Sequence, residues 1–127
     1  QEGWPRFASK GLISMSTFQI SNPSAETTVI AFGDEVLGGA EALELTSLVR
    51  EACAGEGAIV VFDLERVRVM NSSGLGMLVG ALATVRKHDA RLILAAIPEK
   101  VQSLLSMTQL AQVFESRATL AEALQRQ

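Results

Sequence analysis

Apolar and polar residues change their spacing repeatedly along the chain, and each change marks an expected element. Two β-rich runs come first, Ser16–Ile20 and Thr27–Phe32, and the intervening "SNPSAE" supplies the turn chemistry of a hairpin. Gly33 ends the second run. Leu45, Leu48, Val49 and Ala52 then recur at helical spacing, with Glu41, Glu44, Arg50 and Glu51 mostly elsewhere on the wheel. That helix is expected from near Ala40 to Gly55 or Gly57. "AIVVFDL", Ala58–Leu64, is almost continuously apolar, as in a strand covered on both faces.

A second helical stripe follows in Leu75, Leu78, Val79, Leu82 and Val85, starting around Ser73. Arg86, Lys87 and His88 stand in its last turn, where the helix dipole favours them. "RLILAAI", Arg91–Ile97, reads as another buried strand. Pro98 suits the first turn of a third helix carrying Val101, Leu104 and Leu105. "QVFES" reads as a short edge strand, and "TLAEALQR" as a terminal helix with Thr119 at its N-cap. The order β-β-α-β-α-β-α-β-α predicts a single α/β domain. We expect a mixed central sheet of about four to five strands flanked by about four helices.

The first 14 residues, "QEGWPRFASKGLIS", have no sustained period and no apolar signal-peptide core. Met15 opens "MSTFQI" like a natural start, so residues 1–14 are expected to be an extension or expression remnant and residues 15–127 the domain. Trp4 and Phe7 can still dock on the surface.

Composition narrows the function. Apolar residues are 48% and charged residues 20%, enough for a packed core. A net charge of −3, one Trp and no Tyr argue against nucleic acid and anionic membrane as partners. Cys53 and His88 are each single, so no zinc cluster, internal disulfide or adjacent Ser–His pair is available. Cys53 reads as a small apolar helix residue. No apolar run reaches the ~20 residues needed to cross a bilayer. We expect a soluble, cytoplasmic, non-enzymatic protein without metal or cofactor, a monomer or weak dimer.

The stretch "NSSGLG", Asn71–Gly76, sits at a strand-to-helix junction, where open α/β sheets carry their sites. Asn71 or Ser72 can cap the helix, and Gly74 and Gly76 leave room for another backbone. Capping alone accounts for these residue types. A nucleotide P-loop lacks its Gly-Lys-Ser/Thr ending, and G-x-S-x-G is absent.

The segment from "VVFDLERVRVMNSSGLGML" to "LLSMTQLAQVFE" resembles the STAS-domain anti-sigma factor antagonists of bacterial partner-switching systems. In that family a strand ending Asp-Leu leads to Asp-Ser-Ser/Thr-Gly-Leu-Gly, and "LLSMTQLAQVFE" is similar to its Leu-Phe-x-x-x-Gly-Leu close. The resemblance covers about residues 16–125 and implies binding to an anti-sigma factor that is also a serine kinase. It implies phosphorylation at Ser72, with Ser73 second, release of the partner once phosphorylated, and resetting by a phosphatase. The implied contact surface comprises Asp34, Glu35, Asn71, Ser72, Ser73, Gly74, Leu75, Gly76 and Met77. On residue type alone Met77 is favoured as a core residue over a contact residue, and Asp34 and Glu35 can be solvated loop charges. Two departures stand out: Asn71 replaces the usual Asp, and "GDEVLGG" puts Val36 where a second acidic residue is usual. A non-switching scaffold, or a small STAS subunit of a lipid-transport ATPase, is the alternative.

Overall fold

The computed structural model describes residues 18–125. Five strands form the main sheet: β1 (Gln19–Ser21), β2 (Thr27–Ala31), β4 (Ile59–Asp63), β6 (Arg91–Ala95) and β7 (Glu115–Arg117), in the order β1-β2-β4-β6-β7. β1 runs antiparallel to β2 and all other pairs are parallel, so the sheet is mixed as expected. The helices are α1 (Ala40–Ala52), α2 (Ser72–Lys87), α3 (Glu99–Met107) and the short α4 (Leu120–Ala123).

Strand alternation explains the unbroken apolar runs. On β4, Val60 and Phe62 join the large core under α1, α2 and α3, whereas Val61 faces the opposite side with Val29, Ile93 and Ala95. Ala123 and Leu120 bring α4 onto that second face. The large core gathers Leu45 and Val49 from α1, Leu78 and Val85 from α2, and Val101 and Leu105 from α3. Phe18 meets Phe32 edge to face with ring centroids 5.0 Å apart, and Phe32 meets Phe62 at a tilt with centroids 4.9 Å apart. No polar or charged residue is buried among the described residues, so apolar burial dominates the folding free energy. Opposite charge is placed at one strand edge instead. Glu115 on β7 accepts from Arg117 Nη2 at 2.9 Å and also pairs with Arg91 on β6.

The structure departs from the expectations in several places. Two further strands, β3 (Glu35–Val36) and β5 (Val69–Met70), pair in parallel as a separate two-stranded sheet. At two residues each they have no period to detect, and only the docking of distant segments creates them. The edge strand lies at Glu115–Arg117 rather than at "QVFES", because Phe114 turns into the core ahead of it. β1 begins at Gln19, and the earlier part of its expected run lies outside the described residues. The terminal helix shrinks to four residues, with Thr119 Oγ1 accepting from Glu122 N at 3.0 Å. Pro98 stands at the α3 N-cap, one position before the first turn. The expectations for residues 1–14, Trp4 and Phe7 also lie outside the described residues.

Candidate functional site

The serine turn is built from two segments about 35 residues apart in sequence that are clamped together. Arg68 N and Val69 N both donate to the Asp34 carbonyl, at 2.8 and 3.0 Å, and start the β3–β5 pairing. Glu35 then lies opposite Val69, and Val36 opposite Met70. Beyond this pair, Asn71 caps α2: its Oδ1 accepts from Gly74 N at 2.8 Å while its own backbone is extended. The capping role available to Asn71 or Ser72 thus falls to Asn71, and the helix begins at Ser72, one residue earlier than expected.

Gly74 is required by close approach. A Cβ there would stand 2.0 Å from the Val36 carbonyl oxygen, so the backbone that needs this room is the chain's own. Among the described residues nothing outside its own helical turn lies within 4 Å of where a Gly76 Cβ would be. The same holds for Gly80.

Helical spacing sorts the rest of α2. Gly74, Leu75, Met77, Leu78, Ala81 and Val85 face inward. Leu75 and Met77, which the resemblance implied at the contact surface, are each only 6% exposed and pack in the large core. Their positions fall on the inward stripe, which the clamped Gly74 orients. Ser72, Gly76, Val79, Gly80 and Ala83 form the exposed stripe. Asn71 and Ser73 are exposed, as are Asp34 and Glu35 on the neighbouring segment. Among the described residues neither serine hydroxyl has a hydrogen-bond partner.

Electrostatics leave the helix entrance open to an anion. α2 has no acidic residue in its first turn, so nothing within the helix itself neutralises its partial positive charge at Ser72; Asp34 and Glu35 lie on the neighbouring segment. Exposed apolar side chains surround the turn on the segments that meet there: Leu37 after β3, Val69 on β5 and Val79 on α2. Val79, expected on the apolar stripe with Leu75, Leu78, Leu82 and Val85, is exposed instead, because it stands between the inward positions Leu78 and Ala81 on the open side of the helix. Among the described residues no three His, Cys, Asp or Glu side chains group to hold a metal ion.

The STAS domain family profile matches residues 22–123. The chain belongs to the STAS domain family. This STAS domain is 33% identical over 60 residues to an anti-sigma-B factor antagonist of Listeria monocytogenes. That alignment covers 47% of the chain and 53% of the relative, so the chain spans about half the length of the curated relative it matches. Solved structures share the fold. An anti-sigma-factor antagonist (STAS) domain protein from Planctomyces limnophilus superposes with a TM-score of 0.71 at 23% identity, covering 84% of this chain and 94% of its own. The unphosphorylated anti-sigma factor antagonist SpoIIAA gives 0.69 at 22% identity, covering 84% and 92%. A sulfate transporter family protein from Wolinella succinogenes gives 0.68 at 13% identity, covering 80% and 84%.

Proposed function

We propose that this STAS domain is an anti-sigma factor antagonist, switched off by phosphorylation of Ser72. In the cytoplasm, the unphosphorylated domain captures an anti-sigma factor that is also a serine kinase, and a phosphatase restores the captured state. The observation that carries this reading is the exposed, hydrogen-bond-free Ser72 at the head of the open Gly76–Gly80 stripe. Glycine in a helix interior costs about 0.5–1 kcal/mol relative to alanine, and nothing among the described residues requires it at either position. A partner that approaches the helix closely supplies the missing reason.

The switch follows from charge. Ser72 Oγ attacks the γ-phosphorus of the kinase's ATP, ADP leaves, and a kinase base takes the hydroxyl proton. The product carries about −1.5 to −2 charges at the helix entrance. The domain accommodates that charge through its free N–H groups and dipole. A partner packed on a neutral hydroxyl does not, and a coupling of about 1–3 kcal/mol changes affinity ~5- to 150-fold.

The test is incubation with the cognate kinase and ATP, read by intact mass. Wild type gains one phosphoryl group and Ser72→Ala gains none; undiminished labelling of Ser72→Ala removes the assignment. Asn71→Asp is expected to label faster while keeping the cap, because it restores a carboxylate beside the acceptor. Equal rates for the two would discard that role for the missing charge.

Val36 supports a second reading. It is 2% exposed in the core, so no second carboxylate stands at that position, and Asn71 is neutral. A non-switching scaffold, or a STAS subunit of a lipid-transport ATPase, needs neither charge. Under that reading wild type takes no phosphate, and Ser72→Asp leaves partner affinity unchanged.

A further inference from the structure

Ser72 and Ser73 are adjacent, exposed and chemically identical, yet they meet different surroundings. Ser72 opens the stripe with Gly76 and Val79. Ser73 is pressed by the loop between β3 and α1: a Cβ on Gly38 would lie 2.8 Å from Ser73 Cβ and 3.7 Å from its Oγ. Gly38 has φ +92°, a conformation that L side chains rarely adopt, so both space and backbone demand glycine there. The loop's two ends are fixed by the pairing of Val36 with Met70 and by the bond from Ala42 N to the Gly39 carbonyl at 3.0 Å, and Gly38 lies between them.

We propose that Ser73 is a positioning residue and not a second acceptor: its Cβ, seated against Gly38, holds the β3–α1 loop beside Ser72. The Ser73 atom nearest to where a Gly38 side chain would start is Cβ, with Oγ farther off, which assigns the contact to the carbon. The segment held in this way carries the exposed Asp34, Glu35 and Leu37, and its strand β3 pairs with β5, which leads directly into the turn. That this placement serves a partner rests on the reading of the site given above; the contact itself does not.

The test is a double-mutant cycle on the purified chain, read by melting temperature and by the amide cross-peaks of Gly38, Gly39 and Ala40. Ser73→Ala keeps the Cβ and is expected to leave those peaks in place, with Tm within about 2 °C of wild type. Ser73→Gly lowers Tm of the wild type by about 3–6 °C, because it loosens both the helix start and the loop. Gly38→Ala moves the peaks and lowers Tm by about 5–10 °C or more. In the Gly38→Ala background the sign reverses: adding Ser73→Gly clears the blocking Cβ, raises Tm and returns the peaks towards wild type. If Gly38→Ala alone does not fold, the double variant recovers folding.

Ser73→Gly lowering Tm equally in both backgrounds overturns the proposal, as does a double variant that stays unfolded. Peaks displaced by Ser73→Ala as far as by Gly38→Ala also overturn it, because the hydroxyl is then the contact. In the kinase assay, Ser73→Ala retains wild-type labelling, and labelling that drops by half or more contradicts the positioning role. A wild type that takes no phosphate defeats the switching function alone and leaves the melting comparison to decide the contact.

Discussion

At Gly74 a methyl group would meet the Val36 carbonyl oxygen at 2.0 Å, whereas at Gly76, two residues on, it would meet nothing. Opposite outcomes follow for one substitution. Gly74→Ala must push β3 off the turn, and we expect a loss of about 3 kcal/mol or more, the upper end of overpacking costs, measured by urea unfolding. Gly76→Ala adds a methyl group to open space in a helix interior and should stabilise the fold by about 0.5–1 kcal/mol in the same assay. Under the proposed function, the same Gly76→Ala protein should bind an anti-sigma factor about tenfold or more weakly, a change near 1.4 kcal/mol. A more stable protein that binds less separates function from folding. Unchanged binding by Gly76→Ala would mean that the stripe is not the contact.

At the scale of the element, two helices end on the same device without its usual glycine. After α2, Asp89 has φ 57°, Asp89 N bonds to Arg86 O at 3.2 Å, and Ala90 N bonds to Val85 O at 2.8 Å. After α3, Gln109 has φ 62°, with Gln109 N on Ser106 O at 3.1 Å and Leu110 N on Leu105 O at 2.8 Å. Both are Schellman ends, a motif that satisfies the last carbonyls by turning one residue left-handed. Glutamine tolerates that backbone less well than aspartate does. We therefore expect Gln109→Gly to raise stability by about 0.5–1 kcal/mol and Asp89→Gly by less, in thermal melts. A loss in both would show that the side chains supply more than the backbone costs. Neither site touches the serine turn, so partner binding should not change.

At the scale of the whole molecule, the large core determines stability and shields its one thiol. Cys53, at the C-cap of α1, is 4% exposed, and desolvation raises its pKa above the usual thiol value. The unfolded chain's thiol ionises near pH 8.5. Below that pH the thiol is protonated in both states and adds no pH dependence. Above it the unfolded chain loses its proton first, so stability falls as pH rises, until the folded thiol also titrates. Urea unfolding between pH 7 and 10 should show this loss, and Cys53→Ala should flatten it; equal slopes would assign the alkaline loss to other groups. Alkylation of the native thiol should be slow and should accelerate in denaturant. In the centre of the same core, Phe62→Ala is expected to cost about 3–5 kcal/mol, read as a lower urea midpoint.

Periodicity along the chain was sufficient for β2, β4, β6 and the two long helices, because burial imposes repeats of two or 3.6 residues that survive without tertiary context. The α/β order, the Asn71–Gly76 turn and its STAS family likeness were legible for the same local reason. β3 and β5 were not, since two-residue strands carry no period and exist only where Asp34 and Arg68 come together. That docking also decides which of the turn's residues face out. It brings the Val36 carbonyl onto Gly74, while Val79, which the apolar stripe had included, stays exposed. Ser72 is left on the open stripe and Ser73 against Gly38. Local sequence offers the capping residues of a helix and its apolar stripe; which of those residues caps it, and which distant backbone meets its first turn, depends on contacts from segments far along the chain, and only the folded structure supplies those.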